Sequence, residues 1–389
     1  MDMRKRKIAA WVFTIVFGLV GWFVYGLARI LSTGNEYIYI GFLCIAIGLS
    51  VNYFILNLHK KVAKTWTWVM MVVVFIVPSV VYGSYDWYIR SIEIASAEVD
   101  LSTYQPYKEG ADLARLEKPA TLQLKENLPE LDGATALYPV YAAFAEAVYP
   151  EGSYVHDDRS ESPVTVSKTN GAFQRLSRFQ VNIIFTAGPS DEQKQALKQM
   201  EKTAIGKEAF VFFVHKDNPV DSLTLNELRG IYSGEIKNWK DVGGRDQKII
   251  AFQRPEGSGS QTGLENMMGE TPIMDPPKDQ RVDGMGGVIE KASDYRNYRN
   301  SIGFSYRFFA TKMVEGHNIK LLNINGIVPS VYHIKSGDYP LTENFYAITN
   351  GTKNPHVEPL IEWILSRQGQ RLIEETGYIP VKGTNLPEE

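Results

Sequence analysis

Residues 253–262 read Gln253-Arg254-Pro255-Glu256-Gly257-Ser258-Gly259-Ser260-Gln261-Thr262. A mostly apolar run, KIIAFQ (248–253), leads in, and TGLENMM (262–268) leads out. The lead-in has the composition of a strand and the lead-out that of a helix. A Gly/Ser loop between a strand and a helix N-terminus is an anion site by construction. The first turn of a helix presents N–H groups without intrahelical acceptors, and the helix dipole favours negative charge there. Small residues let a tetrahedral oxyanion approach the backbone. Ser258 and Ser260 add hydroxyl donors, and Arg254 adds a planar two-pronged cation suited to phosphate. The alternative for the four small residues alone is a flexible turn.

Two more helix starts have the same character. Leu131-Asp132-Gly133-Ala134-Thr135-Ala136-Leu137-Tyr138-Pro139 opens the apolar segment VYAAFAEAVY, and Ser167-Lys168-Thr169-Asn170-Gly171-Ala172-Phe173 opens AFQRLSRF. By themselves these read as an ordinary Asp/Thr helix cap and a polar turn. Short strand-like and helix-like segments alternate around them, with strand candidates at Asn182–Thr186, Ala209–His215, Lys248–Gln253, Lys320–Ile324 and Asn344–Thr349. Ser190–Gln193 and Thr224–Glu227 fit capping boxes, and Asn354-Pro355 reads as an N-cap followed by proline at the first helical position. The alternation predicts an α/β fold with mainly parallel sheets, whose ligands sit at helix N-termini beyond the strand ends.

The segments LTLNELRGIYSGEIKNWKDVGG and RPEGSGSQT resemble the phosphate-binding proteins of phosphate ABC importers. GATALYP is similar to the family's first anion loop, IIFTAGPSDEQ to the segment before its first crossover, and SIGFSYRF to a later segment. The resemblance covers roughly residues 128–380. It implies a two-lobed type II periplasmic-binding-protein (Venus-flytrap) domain at 128–389, with lobe one at 128–207 plus 341–389 and lobe two at 208–340. The lobes would close over an anion at a hinge. The family's Arg-Ser-Gly-Thr contacts fall on Arg254, Ser258, Gly259 and Ser260, with Ser in place of Thr. The first loop implies Thr135 with the backbone of Ala136 and Leu137, and the second implies Thr169 with Asn170 beside it. One position departs. Phosphate-binding members carry an Asp shortly after the strand matching Phe185-Thr186, where it accepts the proton of hydrogen phosphate. Here the stretch reads Thr186-Ala187-Gly188-Pro189-Ser190-Asp191, which leaves open phosphate, another tetrahedral oxyanion or a phosphorylated small molecule.

The chain of 389 residues carries 41 basic and 44 acidic side chains, a balance that gives no support to a nucleic-acid partner. Its one cysteine, Cys44, excludes an intramolecular disulfide and a Cys-rich metal site. No metal-ligand spacing, Walker loop or nucleophile elbow is present, so no metal, cofactor or enzymatic reaction is expected. Charge is unevenly spread: residues 1–88 are net positive with eight Lys/Arg against three acids, and the remainder is net negative. The first part holds three apolar runs, 8–31, 37–58 and 66–85, each about 20 residues or longer, the length that crosses ~30 Å of hydrocarbon. The expectation is three transmembrane helices in a membrane module at 1–88, then a linker or stalk at 89–127. The basic segments MDMRKRK and HKKVAK place the N-terminus in the cytoplasm and the C-terminal domain outside the cell membrane.

Together these readings describe a membrane-anchored extracytoplasmic binding protein for phosphate or a related oxyanion. The resemblance implies an ABC permease and ATPase as partners. Two rivals stand beside it: a sensor signalling through its helices to another protein, and a non-binding scaffold or adhesin on the same fold.

Overall fold

The computed structural model describes residues 3–31, 36–56, 99–275, 299–313 and 319–381, with a few isolated positions between 69 and 84. The chain divides into two compact units, Met1–Ile92 and Glu93–Glu389.

In the first unit, α1 (Met3–Leu31) and α2 (Glu36–Ile55) follow the first two apolar runs. They pack through small and polar side chains. Gly48 lies against the ring of Phe17, and Asn52 Nδ2 donates to Thr14 Oγ1 at 2.8 Å. The Thr14 hydroxyl in turn donates back to the Ala10 carbonyl at 2.8 Å. Among the described residues no helix is long and apolar enough to cross a membrane. The three transmembrane helices expected from the sequence are therefore not supported by the structure. The described part of α1 opens on Arg4, Lys5, Arg6 and Lys7, and most of the third run, 66–85, lies outside the described residues.

The second unit is built around one mixed sheet, in the order β1 (Leu131–Gly133), β2 (Ile183–Thr186), β9 (Thr342–Asn350), β3 (Met200–His215), β6 (Ser301–Tyr306), β5 (Ile250–Ala251). Strands β7 (Ile319–Leu321) and β10 (Ile379–Pro380) also pair with β3. A separate two-stranded sheet joins β4 (Ser222–Leu223) to β8 (Asn323–Ile324). Helices α3 (Tyr138–Val148), α4 (Lys168–Ser177), α5 (Asp191–Ala196), α6 (Leu225–Ser233), α7 (Gly259–Met268), α8 (Val331–Ser336), α9 (Val357–Ile364) and α10 (Arg367–Thr376) connect the strands.

The expectation of mainly parallel pairing is corrected. The ladders β1·β2, β5·β6 and β4·β8 are parallel, but β3 runs antiparallel to β9, β6, β7 and β10, and β2 runs antiparallel to β9. The cause is β3, whose first part, Met200–Ala209, pairs with β9, and whose second part, Phe210–His215, pairs with β6 and β7. One strand thus serves two lobes. Its charged first half (Glu201, Lys202, Lys207, Glu208) hid it from a reading that sought apolar runs. Both capping boxes form, Ser190 with Gln193 on α5 and Thr224 with Glu227 on α6. The Asn354-Pro355 start is corrected: α9 begins at Val357, because the Asn354 carboxamide takes the N–H of His356 at 2.9 Å and makes a turn first.

Each lobe has its own core. In lobe one Tyr141, Phe144, Phe185 and Trp363 pack together, and Tyr141 stacks on Phe185. Residues 99–129 pack onto this core through Leu101, Tyr104, Leu113 and Leu124. Lobe two centres on Phe210, Phe212, Tyr232, Trp239 and Phe304. Where β3 passes between the lobes, Glu208 is buried beside Arg307 at 3.4 Å and accepts the N–H groups of Ala209 and Phe308 at 2.9 and 3.1 Å. Arg307 also donates to the Gly377 carbonyl at 2.8 Å. Burial pushes the Glu208 carboxyl up to about 7, against the pull of Arg307 and the two amides.

Candidate functional site

Two of the three helix starts meet across the lobes, and the first is tied to the second through Asp132. β1 leads into a 3-10 turn, Thr135–Leu137, and then into α3. Thr135 and Ala136 are half-buried, whereas Leu137 is buried in the core of lobe one and its N–H is committed to the Ala134 carbonyl at 2.9 Å. The Leu137 side chain thus packs in the core, with its amide inside the 3-10 turn. The Ala136 carbonyl accepts the hydroxyl of Tyr378.

The second loop enters α4 through Lys168, whose φ is +62°. Thr169 is buried and Asn170 is exposed. Asn170 Nδ2 donates to the Glu256 carbonyl at 3.0 Å, which carries the loop of lobe one onto the loop of lobe two.

The third loop matches the sequence reading closely in its local structure. Ser258 caps α7 by accepting from the Gln261 N–H at 3.3 Å. Arg254 is half-buried, and the Gln261 carboxamide accepts its N–H at 2.9 Å, which ties the loop across its base. The N–H groups of Gly259 and Ser260 have no acceptor inside the helix. One glycine here is required by geometry, and a second marks a close approach. Gly257 has φ +74°, and a Cβ on it would meet Asn170 Oδ1 at 2.4 Å. A Cβ on Gly259 would meet Thr169 Oγ1 at 3.1 Å, so the Thr169 hydroxyl lies directly opposite the first turn of α7. The structure therefore brings Thr169, Asn170, Gly257 and Gly259 into contact across the two lobes.

Two side chains that hold these loops together escaped the sequence reading. Gln193, on α5, is buried and donates through Nε2 to Asn170 Oδ1 at 2.8 Å and to the Gly257 carbonyl at 3.0 Å. Its Oε1 accepts the Ser190 N–H at 3.0 Å, so the capping box aims it. The box was legible; its reach into lobe two was not. Asp132 is fully buried under the first two loops. It accepts the N–H groups of Gly133 and Ser167 and the Ser167 hydroxyl, each at 2.7 Å, and pairs with Arg175 at 2.5 Å. Asp191, which follows the position of the family's proton acceptor, is exposed and bonded to Lys194 at 2.8 Å, which lowers its pKa. It is a helix-start acid. Among the described residues no group of His, Cys, Asp and Glu is arranged to hold a metal ion.

A model of the PBP superfamily domain matches residues 130–368. The chain belongs to the PBP superfamily. The two lobes joined through β3 form the superfamily's type II α/β arrangement. Two PBP relatives are phosphate-binding proteins PstS. That of Borreliella burgdorferi is 28% identical over 221 residues, 55% of this chain and 76% of the relative. That of Bacillus subtilis is 24% identical over 279 residues, 70% of this chain and 86% of the relative. Among solved structures, an ABC-type phosphate transport receptor from Vibrio cholerae is similar at 22% identity and a TM-score of 0.45, covering 64% of this chain and 98% of that one.

Proposed function

We propose that this chain is an extracytoplasmic receptor for inorganic phosphate or a closely related tetrahedral oxyanion, which passes its anion to an ABC permease. The observation that carries the reading is the meeting of Thr169, from lobe one, with the N-terminal turn of α7, from lobe two. Here a hydroxyl faces amides that lack helical acceptors, at the positive end of a helix dipole, with Arg254 four residues before the Ser258 cap. The names of the PstS relatives support phosphate as the anion and transport as the setting. In this reading Thr135, the Ala136 backbone, Thr169, Asn170, Arg254, Ser258, Gly259 and Ser260 surround the anion. Gln193 and Asn170 hold the lobes together over it.

The proposal includes attachment to a membrane, which rests on the apolar runs and basic segments of the sequence. The exposed Trp11, Ile15, Leu19 and Trp22 of α1 suit such a setting. Alkaline carbonate extraction of cell membranes tests it: the chain is expected in the pellet, and recovery in the supernatant contradicts attachment. The anion reading is tested by Arg254→Ala. Loss of phosphate binding from a folded protein supports the receptor. Unchanged binding refutes the site.

A further inference from the structure

On the far side of α4 from its buried face, a cavity of about 540 Å³ opens between the α4 surface and the loop holding Arg159. Arg159, Arg175 and Arg178 line it, together with Gln174 and Gln180. No carboxylate lines it. Its inner wall is Ser167 and Gly171, the turn whose other side carries Thr169. The α4 contributions fall on one helical face, while Thr169, Ala172, Phe173 and Leu176 occupy the buried one. Arg175 is already engaged, by Asp132 at 2.5 Å and Thr165 Oγ1 at 2.6 Å, and it also faces Glu130 electrostatically. Arg159 and Arg178 form no ion pair with any described side chain.

Two uncommitted guanidiniums and two amides around one cavity, on a unit whose overall charge is negative, are matched to an anion with several oxygens. Guanidinium prefers planar, two-pronged binding of phosphoryl or carboxylate oxygens, and phosphoryl groups offer more acceptors per charge. We propose that this arginine cavity is a second anion site, distinct from the interlobe cleft, for a phosphoryl group that is either free in solution or carried on a glycerol headgroup. Arg159 and Arg178 supply the charge and Gln174 and Gln180 add neutral donors. Arg175 serves as a fixed wall rather than a ligand, because removing it would unpair Asp132.

The test uses the full chain carrying Arg254→Ala, so that cleft binding is weakened independently. Titration calorimetry is run with inorganic phosphate, pyrophosphate and glycerol 3-phosphate as separate probes, and repeated with Arg159→Gln and Arg178→Gln added. Far-UV circular dichroism checks that both proteins are folded. The expected result is a binding event weakened tenfold or more by the double substitution. If glycerol 3-phosphate gives the event, the headgroup source is favoured. If only phosphate or pyrophosphate gives it, the free source is favoured. The absence of any event that the double substitution weakens overturns the proposal, and leaves the two arginines as charges complementing the C-terminal end of α4. Because the cleft is altered separately, failure of this site and failure of the cleft reading are distinguished.

Discussion

Replacing Asp132 by Asn tests how the two loops of lobe one are held in place. The carboxylate is fully buried and accepts three hydrogen bonds at 2.7 Å in addition to its 2.5 Å contact with Arg175. Asn keeps the shape but turns one acceptor oxygen into a donor facing other donors. It also leaves Arg175, whose side chain is only 12% exposed, without its counter-charge. Removing one partner of a buried pair costs about 3–5 kcal/mol. Arg175 retains the Thr165 hydroxyl, the charge of nearby Glu130 and some access to water, which points to the lower end, about 3 kcal/mol. At roughly 2–4 °C per kcal/mol for a domain of this size, the melting temperature should fall by about 6–12 °C. Differential scanning calorimetry of wild type, Asp132→Asn, Arg175→Gln and the double variant reads this directly. The double variant should be more stable than the sum of the single effects predicts, because each single change strands the other group. An Asp132→Asn melting temperature within about 2 °C of wild type, or strict additivity of the two changes, would refute the reasoning.

Arg254→Ala should weaken phosphate binding by about 10- to 150-fold, the equivalent of one hydrogen bond to a charged group, as measured by calorimetric titration. Gln193→Ala removes the donor to Asn170 and to the Gly257 carbonyl, and should weaken binding about 2- to 10-fold, mainly through faster release seen in stopped-flow fluorescence. Thr262, on α7, has a buried hydroxyl with no hydrogen-bond partner among the described residues, so Thr262→Val should leave stability unchanged or slightly raised in a urea melt. Glu208 gives a pH dependence. Its folded pKa is raised to about 7, so the folded protein holds a proton there that the unfolded chain releases at an ordinary carboxyl pKa. This contribution to stability is present below about pH 4.5 and is lost as pH rises towards 7. Glu208→Gln should flatten that slope in urea melts between pH 5 and 8, and an unchanged slope would count against Glu208 as its source.

Local chemistry was readable from the sequence where it depends on neighbours in the chain. The two capping boxes and the strand at Ile183–Thr186 depend on contacts within a few residues, and all stand close to where the sequence placed them. The contacts that join these pieces were not readable. Asp132 meets Arg175 across 43 residues, Gln193 meets Gly257 across 64, and Asn170 meets Glu256 across 86. Nothing in the local pattern of either partner announces such a pair. The same holds for β3, whose sequence is polar over Glu201–Thr203 and again at Lys207 and Glu208 and becomes continuously apolar only from Ala209, although it is one continuous strand through both lobes. The membrane expectation rested on the apolar runs near the N-terminus, and the described helices do not support a crossing.

The central claim is that the cleft between Thr169 and the α7 N-terminus binds phosphate. The most direct measurement is calorimetric titration of the purified full chain, stripped of ligand by unfolding and refolding, with phosphate and with sulfate, beside Arg254→Ala. The account predicts a phosphate-binding event in the wild-type chain that is weakened at least about tenfold by Arg254→Ala. The sulfate titration reports whether the site distinguishes an anion that carries a proton from one that does not. A folded wild-type chain that binds neither anion, or binds phosphate equally well without Arg254, would contradict it.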